Sequence, residues 1–427
     1  MANLLLFSVS FAVLILAYVA VRPKGEGILP IDFFVVFFTL QYGIHAGYPG
    51  GMLRLSAGLG AGVEENYLLL LSVSYIGLAL GLIQPFRIVT PGSLVLKEYV
   101  LAPRKYIYLG LVFSFLIAMT QFPDFSVYRE YMKYVFGSSD FSYVQLRREV
   151  FQGDFFTTIT NLLRQSATVS LFLVGLLFFV LGKHSAALAM AVLVFFACAA
   201  QLNKFPYVYY VLSAVILVMT IKGHGRLMAE YDFKKVAIIF TFVLFLFFLL
   251  SRLYIFQYSE ELAGGLVTSQ DISNVLPYRL FFASNDGLRL WVDYFSITPF
   301  IGFANIQSLA DFFGLDYFNP PAEIPYHYLG VELTTIQVGF IGSSYASFGL
   351  VGVFLNSLII AVMVREFSAF VISIRQYEIK ALFLTVFSIN MIFLQTREFH
   401  TALVSGGVLI APLFMYFIIR LISERKE

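Results

Sequence analysis

Apolar runs of membrane-spanning length follow one another along almost the whole chain, and no other feature of the sequence limits the fold so strongly. Hydrocarbon offers a backbone no water to bond to, so runs of about 20 apolar residues close their hydrogen bonds internally, as helices. Spans are predicted at 3–21, 28–45, 67–85, 105–121, 158–182, 185–201, 206–221, 236–257, 338–364, 380–395 and 401–419. The expected fold class is all-α, a polytopic transmembrane helical bundle of about eleven spans, with residues 1–427 forming a single integral membrane domain. Charged residues make up only 13% of the chain, against about 25% in soluble domains, so lipid is its main solvent. The run 3–21 has no basic residue before it, while Arg22 and Lys24 follow it. That order reads as an uncleaved first helix, because a secretory signal places its positive region in front. Ala17 and Ala20 supply the small residues of a cleavage site as the alternative.

The distribution of cations orients the bundle. With 22–27 on the cytoplasmic side and strict alternation thereafter, 17 of the 28 Lys and Arg residues fall in cytoplasmic segments and nine in outer ones. This bias puts the N-terminus outside, the C-terminus inside, and two long loops, 122–157 and 258–337, on the outer face. Arg164 falls within the fifth predicted span, where a mid-helix charge costs about 2.5–3.5 kcal/mol unless it faces a polar interior. No internal repeat and no matching pair of broken helices is visible in the sequence.

Chemistry is expected in the outer segments. In the first loop Tyr143, Leu146, Val150 and Phe151 have amphipathic helical spacing around the adjacent pair Arg147 and Arg148. Adjacent helical residues point about 100° apart, so one of the two faces a given ligand. They read either as lipid-headgroup contacts or as phosphate binders, since a guanidinium matches phosphate with two parallel bonds. The second loop is acidic, holding nine carboxylates against Arg279 and Arg289. Arg279, after Tyr278, reads as an ion-pair partner or a ligand contact. Trp291, Tyr294, Phe295, Phe300 and Ile301 form an apolar stripe that predicts an interfacial or re-entrant helix. The segment 319–328, with Glu323 and His327, reads as a turn-rich loop of the kind that carries binding residues. Lys204 stands alone in a short outer turn, and Arg397, Glu398 and His400 form a polar turn read as a self-neutralised interfacial pair.

Metal and nucleotide chemistry find no support in the pattern. The five histidines are scattered and Cys198 is the lone cysteine, so neither a metal-ligand spacing nor a disulfide framework is present. A Gly-rich phosphate loop, a nucleophile elbow and a carboxylate cluster for a divalent metal are also missing.

Four stretches together resemble a family: Arg147-Arg148-Glu149-Val150-Phe151, Lys204-Phe205-Pro206, Tyr278-Arg279-Leu280-Phe281, and the glycine-punctuated 337–352. In this order, among many apolar helices and two long outer loops, the chain is similar to the O-antigen polymerases. These are the Wzy-type oligosaccharide repeat-unit polymerases, whose GT-C-like organisation is shared with O-antigen ligases. The resemblance implies a bacterial inner-membrane enzyme that needs no metal or cofactor. It would transfer a glycan from undecaprenyl pyrophosphate to a new lipid-linked repeat unit in the periplasm. It also implies Arg148, Arg279, His327 and Glu332 as catalytic residues, with Arg147, Lys204, Tyr278, Arg289 and Arg397 holding substrate. The implied partners are the undecaprenyl-pyrophosphate-linked oligosaccharide, the lipid bilayer, and a chain-length regulator and flippase of the same route, with no nucleic acid. The ligases carry His-Asn before the glycine-spaced helix, where this chain has Val338-Gly339, so the ligase is the second reading. A lipid-linked oligosaccharide flippase is the third, and it predicts polar residues along a cavity within the spans. The arginine-to-glycine spacing of the family loops is not strictly kept: Arg148 precedes Gly153 and Arg279 precedes Gly287.

Overall fold

A computed structural model of the chain describes residues 2–43, 59–60, 62–85, 99–101, 169–199, 205–227, 283–329, 338–403 and 407–425. These are mostly helical. In chain order the helices are α1 (Ala2–Val21), α2 (Pro30–Phe38, extended by a π turn over Thr39–Gly43), α3 (Val63–Ile83), α4 (Val169–Val180), α5 (His184–Ala199), α6 (Phe205–Lys222) and α7 (Ala283–Ile297). They continue as α8 (Gln307–Phe313), α9 (Pro320–Leu329), α10 (Gly339–Ser373), α11 (Tyr377–Thr396), α12 (Phe399–Leu403) and α13 (Ile410–Ile422). Among the described residues three helices are long and apolar enough to cross a membrane: Asn3–Val21 within α1, Val63–Ile83 and Gly339–Ser373. The membrane character read from composition therefore stands. The predicted spans at 105–121 and 236–257, and Arg164, lie outside the described residues.

The chain divides into two compact units. The first comprises Met1–Thr90, Glu230–Phe370 and Met391–Ala402. Its helix α1 buries Phe7, Ser10, Leu14 and Ala17, at alternating three- and four-residue steps, and exposes Leu5, Val9 and Leu16 on the opposite side. The buried stripe lies along α3 in parallel: Asn3 donates to the Glu65 carbonyl at 3.2 Å, and Phe7 and Phe11 both meet Tyr75 at 5.5 Å. The hairpin between α1 and α2 is closed by one carboxylate. Asp32 accepts from Arg22 Nε at 2.8 Å and Nη2 at 3.1 Å, from the Tyr18 hydroxyl at 2.6 Å, and from the Leu29 amide at 2.8 Å. A buried acid inside the predicted span 28–45 is thus fully occupied, and the helix starts two residues later, at Pro30, whose missing N–H is harmless in a first turn.

The predicted span 338–364 is corrected. Helix α10 breaks at Phe348 and Gly349, whose φ of +62° belongs to the left-handed region open to glycine. Residues 339–347 then fold back on 350–373. The Asn356 amide donates to Ser344 Oγ at 2.7 Å, a pair that about 18 Å of rise would separate in an unbroken helix. Gly352 carries no Cβ where the Ser344 carbonyl presses on it. The first segment is therefore a short arm, and the spanning helix is the long arm behind it. The predicted span 401–419 is likewise broken, into α12 and α13, with Gly407 at φ +82° before α13. The break in α10 was not visible in the sequence, because it depends on packing around Gly349 and Gly352.

The second unit comprises Pro91–Ala229, Val371–Asn390 and Leu403–Glu427. Here α4 and α5 form a hairpin, Phe172 meets Tyr210 of α6 at 4.8 Å, and His224 meets Tyr377 of α11 at 6.0 Å. Asn390 donates to the Gly407 carbonyl at 3.1 Å, tying α11 to the break before α13. Beside the helices the described residues include a small antiparallel ladder, Tyr99–Leu101 with Ser423–Arg425, in which Val100 pairs with Glu424. Both strands belong to segments that the charge pattern assigns to the same side.

Candidate functional site

The polar centre of the first unit is built where α7 crosses the start of α3. The two helices run antiparallel, and three contacts mark the register. Tyr67 donates its hydroxyl to Asn285 Oδ1 at 2.5 Å, Arg289 Nε donates to Glu64 Oε1 at 2.6 Å, and the Gly60 amide donates to Asp293 Oδ1 at 3.0 Å. Asp286, Arg289 and Asp293 follow steps of three and four residues, so they share one face of α7. Its other faces are apolar: Leu288, Leu290, Trp291, Val292 and Phe295 are buried. The two ends of the predicted aromatic stripe differ, since Phe300 is 49% exposed. Trp291 and Phe295 are packed inside the protein, where the short arm of α10 comes up to Trp291 at Gly342.

Arg289 is the most unusual side chain here. Its residue is 2% exposed, although arginine is among the residues least often buried. The guanidinium lies over the Tyr67 ring, 4.2 Å from its centroid, a cation–π geometry that offsets part of the lost hydration. Its Nη1 is 3.6 Å from Asp286 Oδ1. Its Nη2 is buried and has no hydrogen-bond partner among the described residues, and neither has the Trp291 indole nitrogen. Burial works against the charged form, but the Tyr67 hydroxyl, Glu64 and Asp286 together outweigh it and raise the pKa. The site therefore holds a permanent cation with one donor edge unspent. The partner that binds Nε is the more accessible one, since the Glu64 side chain is 46% exposed.

The outward end of α7 carries a second group. Asp293 Oδ2 accepts from the Tyr328 hydroxyl at 2.7 Å. Burial, then this bond to Asp293, pushes the Tyr328 phenol upward, so it stays a donor. His327 stands edge-on to Tyr294 at 5.5 Å and to Tyr328 at 5.1 Å. The predicted loop 319–328 is in fact α9, with Pro325 inside it, so His327 is fixed by packing on α7. A third group is the turn between α11 and α12. The Phe399 amide donates to Ser343 Oγ of the short arm at 3.0 Å. His400 lies 3.5 Å from Glu398, yet burial lowers its pKa to about 4. At neutral pH that contact is one between a neutral ring and a carboxylate.

Of the predicted site residues, Arg289, His327 and Arg397 lie in the described part. Arg289 lies on α7 and His327 on α9, packed against α7 at Tyr294, while Arg397 belongs to the turn held by the short arm. Arg147, Arg148, Lys204, Tyr278, Arg279 and Glu332 lie outside the described residues. Sequence reasoning missed Glu64, Tyr67, Asn285, Asp293 and Tyr328. The shared face of Asp286, Arg289 and Asp293 was legible in their spacing. Glu64 was not, because 225 residues separate it from Arg289. Among the described residues no group of three or more His, Cys, Asp or Glu side chains could hold a metal ion. No family model, no curated protein and no solved structure matches the chain.

Proposed function

We propose that this protein is a periplasm-facing, metal-independent glycosyltransferase that polymerises oligosaccharide repeat units carried on undecaprenyl pyrophosphate. The observation that carries the reading is Arg289: a wholly buried cation in a membrane protein, stacked on Tyr67, with an unspent donor edge at Nη2. A guanidinium in a site that excludes water is suited to a pyrophosphate, which it can bind without proton transfer. In the reaction the acceptor sugar hydroxyl attacks the anomeric carbon, the bond from that carbon to the pyrophosphate oxygen breaks, and undecaprenyl pyrophosphate departs with the electron pair. Arg289 stabilises the charge gathered on the leaving oxygens, assisted by Arg148 and Arg279 of the two long loops. The hydroxyl proton passes to a base at the outward end of α7, where Asp293 and His327 stand. Glu64 is the counter-ion of Arg289, and in this reading the lipid-linked phosphate takes its place.

The orientation in this reading has the N-terminus in the periplasm, the C-terminus in the cytoplasm and about eleven spans in the inner membrane. Its direction rests on the Lys and Arg distribution, while strict alternation agrees with the parallel course of α1 and α3 and with α3 meeting the long arm of α10 in the same sense, Gly77 at Ser357 and Gly81 at Ala361. Odd-numbered spans run in one direction, as these do. A flippase and a chain-length regulator are its proposed partners.

The test is reconstitution of the purified protein with a single lipid-linked repeat unit. Dimers and longer chains formed without lipid A or a protein acceptor support a polymerase; absence of any chain growth with folded protein sinks it. Glu64→Gln should tighten binding of a polyprenyl pyrophosphate several-fold by removing the competing carboxylate, measured by titration calorimetry. Unchanged binding removes Glu64 from the assignment.

A further inference from the structure

We propose that residues 297–315 form an apolar wedge that inserts into the lipid leaflet on the side where α3 and the long arm of α10 begin. The occupant is the acyl-chain region of the bilayer itself. The segment between α7 and α8 is pinned to the short arm by backbone bonds, Ile301 amide to Ala346 carbonyl at 2.9 Å and Gly302 amide to Ser347 carbonyl at 3.0 Å, and Phe318 donates back to Ala304 at 3.0 Å. It is a built projection of the fold. Its side chains face outward: Phe312 is 80% exposed, and Phe303 and Phe313 are exposed beside it.

Soluble surfaces rarely present such rings together, and here they are joined in a row. Phe312 meets Phe313 at 5.1 Å, Phe313 meets Phe303 at 5.7 Å, and Phe303 meets Phe348 at 5.1 Å. Phe348 stands at the break in α10, and from there the exposed face continues down the long arm through Val351 and Leu355. The long arm belongs to a helix apolar enough to span a membrane, and its exposed stripe has lipid as its natural solvent. The wedge extends that stripe without interruption, so the same solvent covers both. Asp311 and Asp316 flank the rings in sequence. Charged groups at these positions belong at headgroup level and limit how deep the tip goes. Phenylalanine in this place gives up no hydrogen bond on insertion, unlike the tyrosines at 317 and 326, which lie outside the row.

This inference stands apart from the proposed activity. The test uses the full chain with Cys198→Ser and one new cysteine, Phe312→Cys or Phe313→Cys, carrying a bimane, in phosphatidylcholine–phosphatidylglycerol vesicles. Leu355→Cys provides the spanning-face reference, and Tyr326→Cys, exposed but off the row, the aqueous one. A nitroxide near the headgroup end of the acyl chain should quench both phenylalanine positions by at least half, and iodide should quench them several-fold less than Tyr326→Cys. Iodide quenching equal to that of Tyr326→Cys, with no response to the nitroxide lipid, overturns the proposal. Either phenylalanine position alone decides it if the other variant does not fold.

Discussion

Helix α3 is packed in two different ways along its length. Its first turns meet α7 through charge and hydrogen bonds: Glu64 on Arg289, Tyr67 on Asn285. Its last turns meet the long arm of α10 through the absence of side chains. A Cβ on Gly77 would lie 2.9 Å from Ser357 Cβ, and one on Gly81 would lie 2.5 Å from the Leu358 carbonyl oxygen. Polar contacts cross this interface too: Ser74 Oγ lies 2.9 Å from Ser357 Oγ, and Arg365 of the long arm donates to the carbonyls of Leu82, at 3.4 Å, and Gln84 at the end of α3. In lipid, apolar surface gains little by leaving its solvent, so helices associate by close backbone approach and small residues. That half of the helix is built for stability. The other half buries a cation with carboxylates, an arrangement that costs desolvation and is weak grounds for stability.

The contrast can be broken most severely at Arg289. Arg289→Ala removes the cation beside the buried Asp286, and should cost about 3–5 kcal/mol of stability. Arg289→Lys keeps the charge and most of the fold, yet should lower chain growth by about a hundredfold, because a point charge lacks the fork. A Lys variant with full activity would place Arg289 on the structural side of the comparison. Gly81→Val tests the other half. It should lower stability in detergent by about 1–3 kcal/mol, as overpacking does, while the folded fraction keeps its activity. Thermal unfolding followed by tryptophan fluorescence reports on this directly, since Trp291 is the one tryptophan of the chain.

A smaller effect is expected from pH. His400 is lowered to about 4 by burial, against about 6.5 in an unfolded chain. Below pH 6.5 the unfolded state takes up a proton that the folded state refuses, so stability present at pH 7 is lost as pH falls toward 4. Glu398, 3.5 Å away, moderates the loss. His400→Asn should flatten the midpoint profile between pH 7 and 4, and an unchanged slope would assign the dependence to other groups. The smallest effect belongs to Tyr328→Phe. It removes one bond to Asp293 and should cost about 1 kcal/mol, with a larger change in KM than in kcat if Asp293 positions the acceptor.

Much of the fold was legible in the residues. The predicted span 3–21 corresponds to α1 (Ala2–Val21), long and apolar enough to cross a membrane, and the predicted 380–395 falls within a helix, α11 (Tyr377–Thr396). Length and hydropathy sufficed for these because a helix in lipid needs no partner to satisfy its backbone. The glycines of 337–352 were noticed but misread as punctuation of one span. What they produce is a reversal, and a reversal depends on which carbonyl each missing Cβ allows to approach.

The apolar runs with which the sequence opens determined that this chain lives in a membrane and is built of helices, since hydrocarbon leaves a backbone no other way to satisfy its bonds. The tertiary structure decided what those runs enclose. It buried Trp291 and Phe295 of the aromatic stripe, placed Arg289 on Tyr67 beside Glu64, and left Phe303, Phe312 and Phe313 exposed. Those outcomes depend on contacts between residues far apart in the chain, and hydropathy carries no record of which distant charge will face which ring.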